Sequence, residues 1–534
     1  FKWINFFEYF ISKKIEEVNS FEELYNRIDK LDIKIANDII NSLRICDPAV
    51  GSGHFLVSVL NEIIVIKSEL GILIDKNGKR LRDYEIVVDN DELIISDDNG
   101  IFEYNYQNKE SQRVQETIFN ERQTIIENCL FGVDINPNSV KICRLRLWIE
   151  LLKSSYYKAP NFIELETLPN IDINIKCGNS LISRYALDAD LKKALQKSKW
   201  NITSYRLAVM TYRNAKSKDE KREMEKLINE IKNNFETEIQ LNDKRYKKLR
   251  DLKGELFTLT NQGVLFDKTK KEKEDWNIKV NELTADIKKQ EELIEEIKNN
   301  AIYKNAFEWR IEFPEVLNNN GDFEGFDVLI GNPPYIGEKG HKEVFRIIRQ
   351  GNLASFYQRK MDIFYFFFHL SLQLLKDKGK LSFITTNYYL TSDGGENLRT
   401  DFKNNSTVNS LINLNELKIF ESAKGQHNLI TFLTKGFNAD SPASNLVTFE
   451  TGECNQELFE KVISAQNENS RIYTVPQSEL YETTNNYIRL QGLGNKKNST
   501  KDNSIFNKII EKGTPLIQIC DISQGILSGV DRIS

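Results

Sequence analysis

The chain has 534 residues, 40% of them hydrophobic and 28% charged, with a formal net charge of −5. That balance excludes a mostly disordered chain, and the length predicts several structural units. The charge excludes a bulk polycation, so any contact with nucleic acid has to come from a local basic face.

Phe10, Ile11 and Ile15, then Phe21, Leu24, Ile28 and Leu31, recur at helical spacing, and residues 1–42 are predicted as an N-terminal helical segment. A short strand over 43–46 is followed by a glycine-bearing turn and an apolar helix over 54–69. β-rich runs within 84–104, separated by Asn90-Asp91 and Asp97-Asp98-Asn99-Gly100, predict a small antiparallel meander inserted at 71–111. A helix over 112–128, a buried strand over 130–134 and a helix over 137–153 come next. These elements make 43–200 the first part of a strand–helix domain.

Residues 201–300 hold 22 Lys+Arg and 20 Asp+Glu, far denser in charge than the 28% of the whole chain. Met224, Ile228, Ile231, Phe235 and Ile239 keep heptad-like spacing, as do Val280, Leu283, Ile287, Ile294 and Ile297. Asn261-Gln262-Gly263 lies between the two stretches. The pattern predicts a long antiparallel helical hairpin over 201–301. Strand–helix alternation then resumes over 302–440, and residues 441–534, looser and rich in Asn and Ser, are expected to begin another domain. Repeated β–α units predict an α/β fold with a mostly parallel sheet covered on both faces.

The most apolar run, 363–375, falls short of the ~20 residues needed to cross a bilayer. Asp362 and Lys376 bracket it, so it is expected to be a buried helix, and no membrane association is expected. The cysteines Cys46, Cys129, Cys143, Cys177, Cys454 and Cys520 are scattered and the four histidines are isolated. Neither a disulfide framework nor a metal site is predicted, and a reducing, cytoplasmic setting fits. Phe1 at one end and a strand-and-turn pattern broken off at Ser534 lead us to expect a piece of a longer chain.

Four motifs sit where predicted strands end. Asp47-Pro48-Ala49-Val50-Gly51-Ser52-Gly53 has glycines that allow a tight turn and a close ligand approach, although an isolated Gly-x-Gly is weak alone. In Phe131-Gly132-Val133-Asp134-Ile135-Asn136-Pro137, Asp134 could accept hydrogen bonds from ribose hydroxyls or cap the following helix. In Cys177-Gly178-Asn179-Ser180-Leu181 the Asn179 amide could meet an adenine amino group, and an ordinary turn is an equal alternative. In Asn332-Pro333-Pro334-Tyr335 two prolines stiffen a loop that holds a side-chain amide oxygen, a main-chain carbonyl and an aromatic ring in fixed positions.

In this order the motifs resemble the adenine-specific amino DNA methyltransferases of restriction–modification systems. The resemblance is closest to the γ class and to the methyltransferase portion of type IIG enzymes, and covers roughly 43–182 and 302–435. It implies a Rossmann-like methyltransferase sheet that uses S-adenosylmethionine, with Asp47, Pro48, Ala49, Gly51 and Gly53 around the methionine part and Asp134 at the ribose. Asn179 and Phe367 would lie at the cofactor adenine, and Ile135 and Leu181 also belong to the cofactor-binding set. Asn179 stands where the family often has Asp, and its amide oxygen accepts the same hydrogen bond without the charge. For Phe367, ordinary core is the alternative.

The resemblance makes Asn332, Pro333, Pro334 and Tyr335 the catalytic loop, with Tyr335 and Phe420 stacking on an adenine flipped out of double-stranded DNA. It implies neither a metal nor a covalent nucleophile. The Tyr-Thr-Pro element usual ahead of the first motif is not found, and no nuclease Asp…Glu-x-Lys set is convincing. The resemblance makes 441–534 the truncated start of a target-recognition domain, and the nuclease and the rest of that domain are expected elsewhere in the same full-length chain. Asn-Pro-Pro-Tyr also occurs in methyltransferases of rRNA guanine and protein glutamine. A non-catalytic DNA-binding subunit of a defence complex is a further alternative.

Overall fold

A computed structural model describes residues 33–166, 168–185, 187, 199–215, 217–242, 244–262, 270–299, 303, 305–420, 427–483, 485–492, 512–514 and 518–520. Of the N-terminal helical segment expected over 1–42, residues 1–32 lie outside the described residues, as does the chain end at 521–534, and Ile33–Asn41 is a helix.

Among the described residues fourteen strands run in chain order: β1 Ile45–Asp47, β2 Glu85–Asp89, β3 Glu92–Asp97, β4 Gly100–Ile101, β5 Leu130–Asp134, β6 Ile175–Cys177, β7 Phe326–Gly331, β8 Leu375–Thr386, β9 Ser406–Asn415, β10 Leu417–Lys418, β11 Asn428–Lys435, β12 Ala443–Thr448, β13 Gly452–Glu453 and β14 Ser470–Val475. Nine of them form one sheet in the order β14-β12-β9-β11-β8-β7-β1-β5-β6. Pairing is parallel from β6 through β5, β1 and β7 to β8. β11 then enters antiparallel between β8 and β9. β2, β3 and β4 form the separate antiparallel meander that their period-two pattern predicts.

The alternation of side chains along each strand divides the core in two. Cys46, Phe131, Val133 and Leu329 point into one apolar cluster, and Ile45, Leu130, Val328 and Ile330 into another on the opposite face. On the second face lies the helix His54–Glu69, apolar nearly all round and buried over most of its length. The first face is covered by the helix Ile363–Leu374, in which Phe364, Phe366, Phe368 and Leu374 are fully buried. Its burial accounts for the long apolar run, and among the described residues no helix is long and apolar enough to cross a membrane.

The charged insertion differs from a single hairpin. Helices Ile202–Asn214 and Lys218–Asn242 are anchored to the sheet domain, because Tyr205, Ile228, Ile231 and Phe235 pack with Ile311 and Leu317. The hairpin proper joins Lys244–Gln262 to Lys270–Asn299, where Lys253 pairs with Glu291 at 2.6 Å and Trp276 donates its indole N–H to the Leu259 carbonyl at 3.1 Å. The first heptad-like stretch thus marks a docking face and not the hairpin seam.

No break in the sheet falls at 440. β12 joins β9 in parallel and β14 joins β12 antiparallel, so the sheet continues at least to Val475.

Candidate active site

The chain runs β1→β5→β6 to one side of β1, then returns to place β7 and β8 on the other. Such a reversal opens a crevice at the carboxyl ends of the strands. All four motifs lie at that end, on the adjacent strands β6, β5, β1 and β7.

Asp47 closes β1 and is 2% exposed. Its Oδ1 accepts the Ala49 N–H at 2.9 Å. Burial pushes its carboxyl up to about 7, the Ala49 hydrogen bond opposes the rise, and the charge of Asp134 adds to it. A buried carboxylate in this state favours a cationic partner.

The turn after Asp47 is stitched to its neighbours. The Pro48 carbonyl accepts the Ser180 hydroxyl at 2.5 Å, Val50 N–H donates to the Val133 carbonyl at 2.9 Å, and Gly51 N–H donates to Asp134 Oδ2 at 3.0 Å. Gly51 and Gly53 sit at φ +53° and +85°, where a side chain is strained, and a Cβ on Gly53 would come within 2.6 Å of the Cys143 sulfur.

Asp134 Oδ1 accepts the Asn136 N–H at 2.7 Å, so one backbone donor holds each carboxylate oxygen. Cap and site are separate residues here, since Asn136, not Asp134, caps the helix Pro137–Lys153. Ile135 beside it is 57% exposed, an apolar surface facing solvent at the crevice edge. Asn179 Oδ1 accepts the Leu181 N–H at 3.1 Å, a turn contact that leaves the oxygen a second lone pair. Leu181 is 5% and Phe367 7% exposed, and both belong to the core cluster under the crevice.

β7 ends at Gly331. A Cβ there would lie 2.5 Å from Asp47 Oδ1, so the main chain entering the Asn332 loop rests directly against the first motif's carboxylate. Asn332 and Pro334 are exposed, Pro333 is buried and Tyr335 is half-buried. The Tyr335 hydroxyl donates to the Ile384 carbonyl at 3.0 Å, and its ring stands edge-on to Phe364 at 5.9 Å. Burial, and secondarily Asp362, pushes its phenol well above the ordinary range. Just past Tyr335, Asp362 Oδ1 accepts the Ile336 N–H at 2.9 Å while Ile363 N–H donates to the Ile336 carbonyl at 2.9 Å. The loop is therefore fixed at both ends. Phe420 is half-buried on the cluster that contains Ile384, on which Phe55 also packs.

Sequence reasoning missed three contributors: Gly331, Ser180 and the clamp Asp362. Each acts through a partner far away in the chain, and no spacing signal could have shown them. The buried donor–acceptor framework suits a ligand with a cationic amino group and a ribose. Asp47 offers the counter-charge, Asp134 a preset acceptor, and Ile135 an apolar surface.

Residues 128–267 and 251–420 match the Eco57I restriction-modification methylase family, together more than half of the chain. The chain belongs to that family. In this Eco57I-family chain the matched region takes in Asp134, Asn332 and Phe420, and the Asp47 turn precedes it.

A similar relative is RM.MjaORFECS2P of Methanocaldococcus jannaschii, named as a putative type II restriction enzyme and methyltransferase. It is 27% identical over 424 residues, covering 75% of this chain and 31% of its own length. The type II methyltransferase M.HindII of Haemophilus influenzae is 25% identical over 233 residues, 42% of this chain and 43% of that one. The chain thus spans less than half the length of either relative. Among solved structures, the type IIL restriction-modification enzyme MmeI in complex with DNA aligns at 11% identity and a TM-score of 0.36, over 84% of this chain and 38% of that one.

Proposed function

We propose that this family member is a DNA methyltransferase of a restriction–modification system, adenine-specific and of the γ class. In this reading it transfers a methyl group from S-adenosylmethionine to the exocyclic amine of an adenine flipped out of double-stranded DNA. The observation that carries the reading is the close approach of Gly331 to Asp47, which sets the Asn332 loop against a cofactor-type turn. The type II relatives support the substrate class, and the names of RM.MjaORFECS2P and RM.Eco57I of Escherichia coli support a nuclease in the same full-length protein, as in type IIG enzymes.

In this reading Asp47 takes the cofactor's ammonium group, Asp134 the ribose hydroxyls, and Ile135, Asn179, Leu181 and Phe367 the adenine end. S-adenosylmethionine supplies an electrophilic methyl group on a sulfonium. The chain's own task is to make a poor nucleophile competent, because the lone pair of adenine's amine is delocalised into the ring. The Asn332 amide oxygen and the Pro333 carbonyl accept the two amine hydrogens. That pair of acceptors favours a tetrahedral nitrogen and stabilises the positive charge that forms on it. The prolines and the Asp362 clamp hold both acceptors in place, and alignment does the rest. Tyr335 and Phe420 offset part of the few kcal/mol needed to unstack the base.

Transfer of labelled methyl groups to duplex DNA, rRNA and protein tests the reading. Label in DNA alone is expected. Label in rRNA or protein contradicts it, and no transfer to any substrate leaves a DNA-binding subunit in its place.

Asp134→Ala is expected to weaken cofactor binding by ~1.5–3 kcal/mol, the range for hydrogen bonds to a charged group. Unchanged affinity in calorimetry removes Asp134 from the ribose role. A pH dependence also follows from Asp47. Its carboxyl, raised to about 7, is protonated below that pH and must ionise to face an ammonium group. Affinity should therefore rise about tenfold per pH unit from pH 5 towards 7 and level off above. A flat titration, or one that Asp47→Asn leaves unaltered, contradicts the assignment.

A further inference from the structure

Directly after the Asn332 loop the chain turns basic. Residues 338–360 carry six cations, Lys339, Lys342, Arg346, Arg349, Arg359 and Lys360, against two acids, Glu338 and Glu343, in a chain of net charge −5. Four of them, Lys339, Lys342, Arg359 and Lys360, line a cleft of about 750 Å³ that begins at Gly337, two residues past Tyr335.

The acids in that cleft are already engaged within the fold. Glu338 accepts the Tyr357 hydroxyl at 2.5 Å and the Lys360 N–H at 2.7 Å. Asp362 accepts the Ile336 N–H. Lys360 reaches Asp393 at 3.4 Å with both side chains largely exposed. Among the described residues Lys339, Lys342 and Arg359 are exposed and form no ion pair. Tyr388 also lines the cleft, 50% exposed and edge-on to His427 at 6.5 Å. Three unpaired cations and an open aromatic ring in one cleft match a polyanion that also carries flat bases. The position beside the catalytic loop says which part of that polyanion reaches it.

We propose that this cleft holds the sugar–phosphate backbone flanking the target adenine, with Lys339, Lys342 and Arg359 on phosphates and Tyr388 against a neighbouring nucleotide. The inference rests on the reading of the chain as a DNA methyltransferase. Such contacts position a strand without reading its sequence.

The test measures duplex affinity across salt concentrations for the full chain and for a Lys339→Ala/Lys342→Ala/Arg359→Ala variant, with calorimetric cofactor binding as the check on folding. The slope of log affinity against log salt should become shallower by about 2–3, close to 0.9 for each phosphate that is no longer neutralised. Each single variant should account for about 1. Lys339→Arg/Lys342→Arg/Arg359→Lys should keep the slope, and Tyr388→Ala should weaken binding without altering it. An unchanged slope in the triple-alanine and single variants, while the unaltered chain binds and methylates DNA, overturns the cleft alone. An unaltered chain that neither binds nor methylates DNA overturns the reading beneath it as well.

Discussion

Asn332→Ala should bind S-adenosylmethionine with unaltered affinity and lose methyl transfer by about 10²–10³-fold, the range for removing a single fixed polar group that acts on transition-state charge. The side chain is exposed at the end of β7, so truncation leaves the fold intact. The Pro333 carbonyl remains as one acceptor. With only one hydrogen of the amine held, the nitrogen loses its orientation towards the methyl group. Single-turnover rates with saturating DNA measure this directly. A variant that keeps more than about a tenth of the rate, or within ~1.4 kcal/mol of the barrier, contradicts the role given to Asn332.

Gly331→Ala is expected to be nearly as damaging although it adds one methyl group. That Cβ would lie 2.5 Å from Asp47 Oδ1 and 2.9 Å from its Cγ, and the aspartate is buried with that oxygen already held by the Ala49 N–H. Overpacking of this kind costs about 1–3 kcal/mol of stability. The larger effect falls on the reaction. If the Asn332 loop has the role proposed for it, its displacement on the order of 1 Å costs about 100-fold in rate. The partner is identified by a double-mutant cycle. On an Asp47→Ala background the added methyl should cost little stability, because the opposing carboxylate is gone. Additive losses would show that something other than Asp47 resists the Cβ.

The elements around the site are legible where several local signals agree. The helix Pro137–Lys153 has the bounds that its sequence predicts, with Asn136 capping and Pro137 at the first helical position. The turns at Asp47, Asp134 and Asn332 are visible because glycine, acid and proline punctuate strand ends. The far side of the sheet is not visible. Asn445 is fully buried in β12, where it accepts the Leu411 N–H at 3.0 Å and donates to the Leu490 carbonyl at 3.0 Å. A polar residue satisfied inside a sheet looks like loop composition until its partners are known, and for that reason the Asn- and Ser-rich stretch after 440 suggests a new domain where the sheet in fact continues. Met224, Ile228, Ile231 and Phe235 mislead in the opposite way. Their helical spacing shows an apolar face and says nothing about what covers it, here Tyr205, Ile311 and Leu317 in place of the second heptad stretch.

The central claim is that the Asn332 loop activates the exocyclic amine of adenine. Its most direct test is the identity of the methylated nucleoside. Duplex DNA treated with the chain and labelled S-adenosylmethionine would be digested to nucleosides and resolved by mass. The account predicts label in N6-methyldeoxyadenosine, and none from the Asn332→Ala chain in the same time. Label in any other nucleoside, or equal label from both chains, would contradict it.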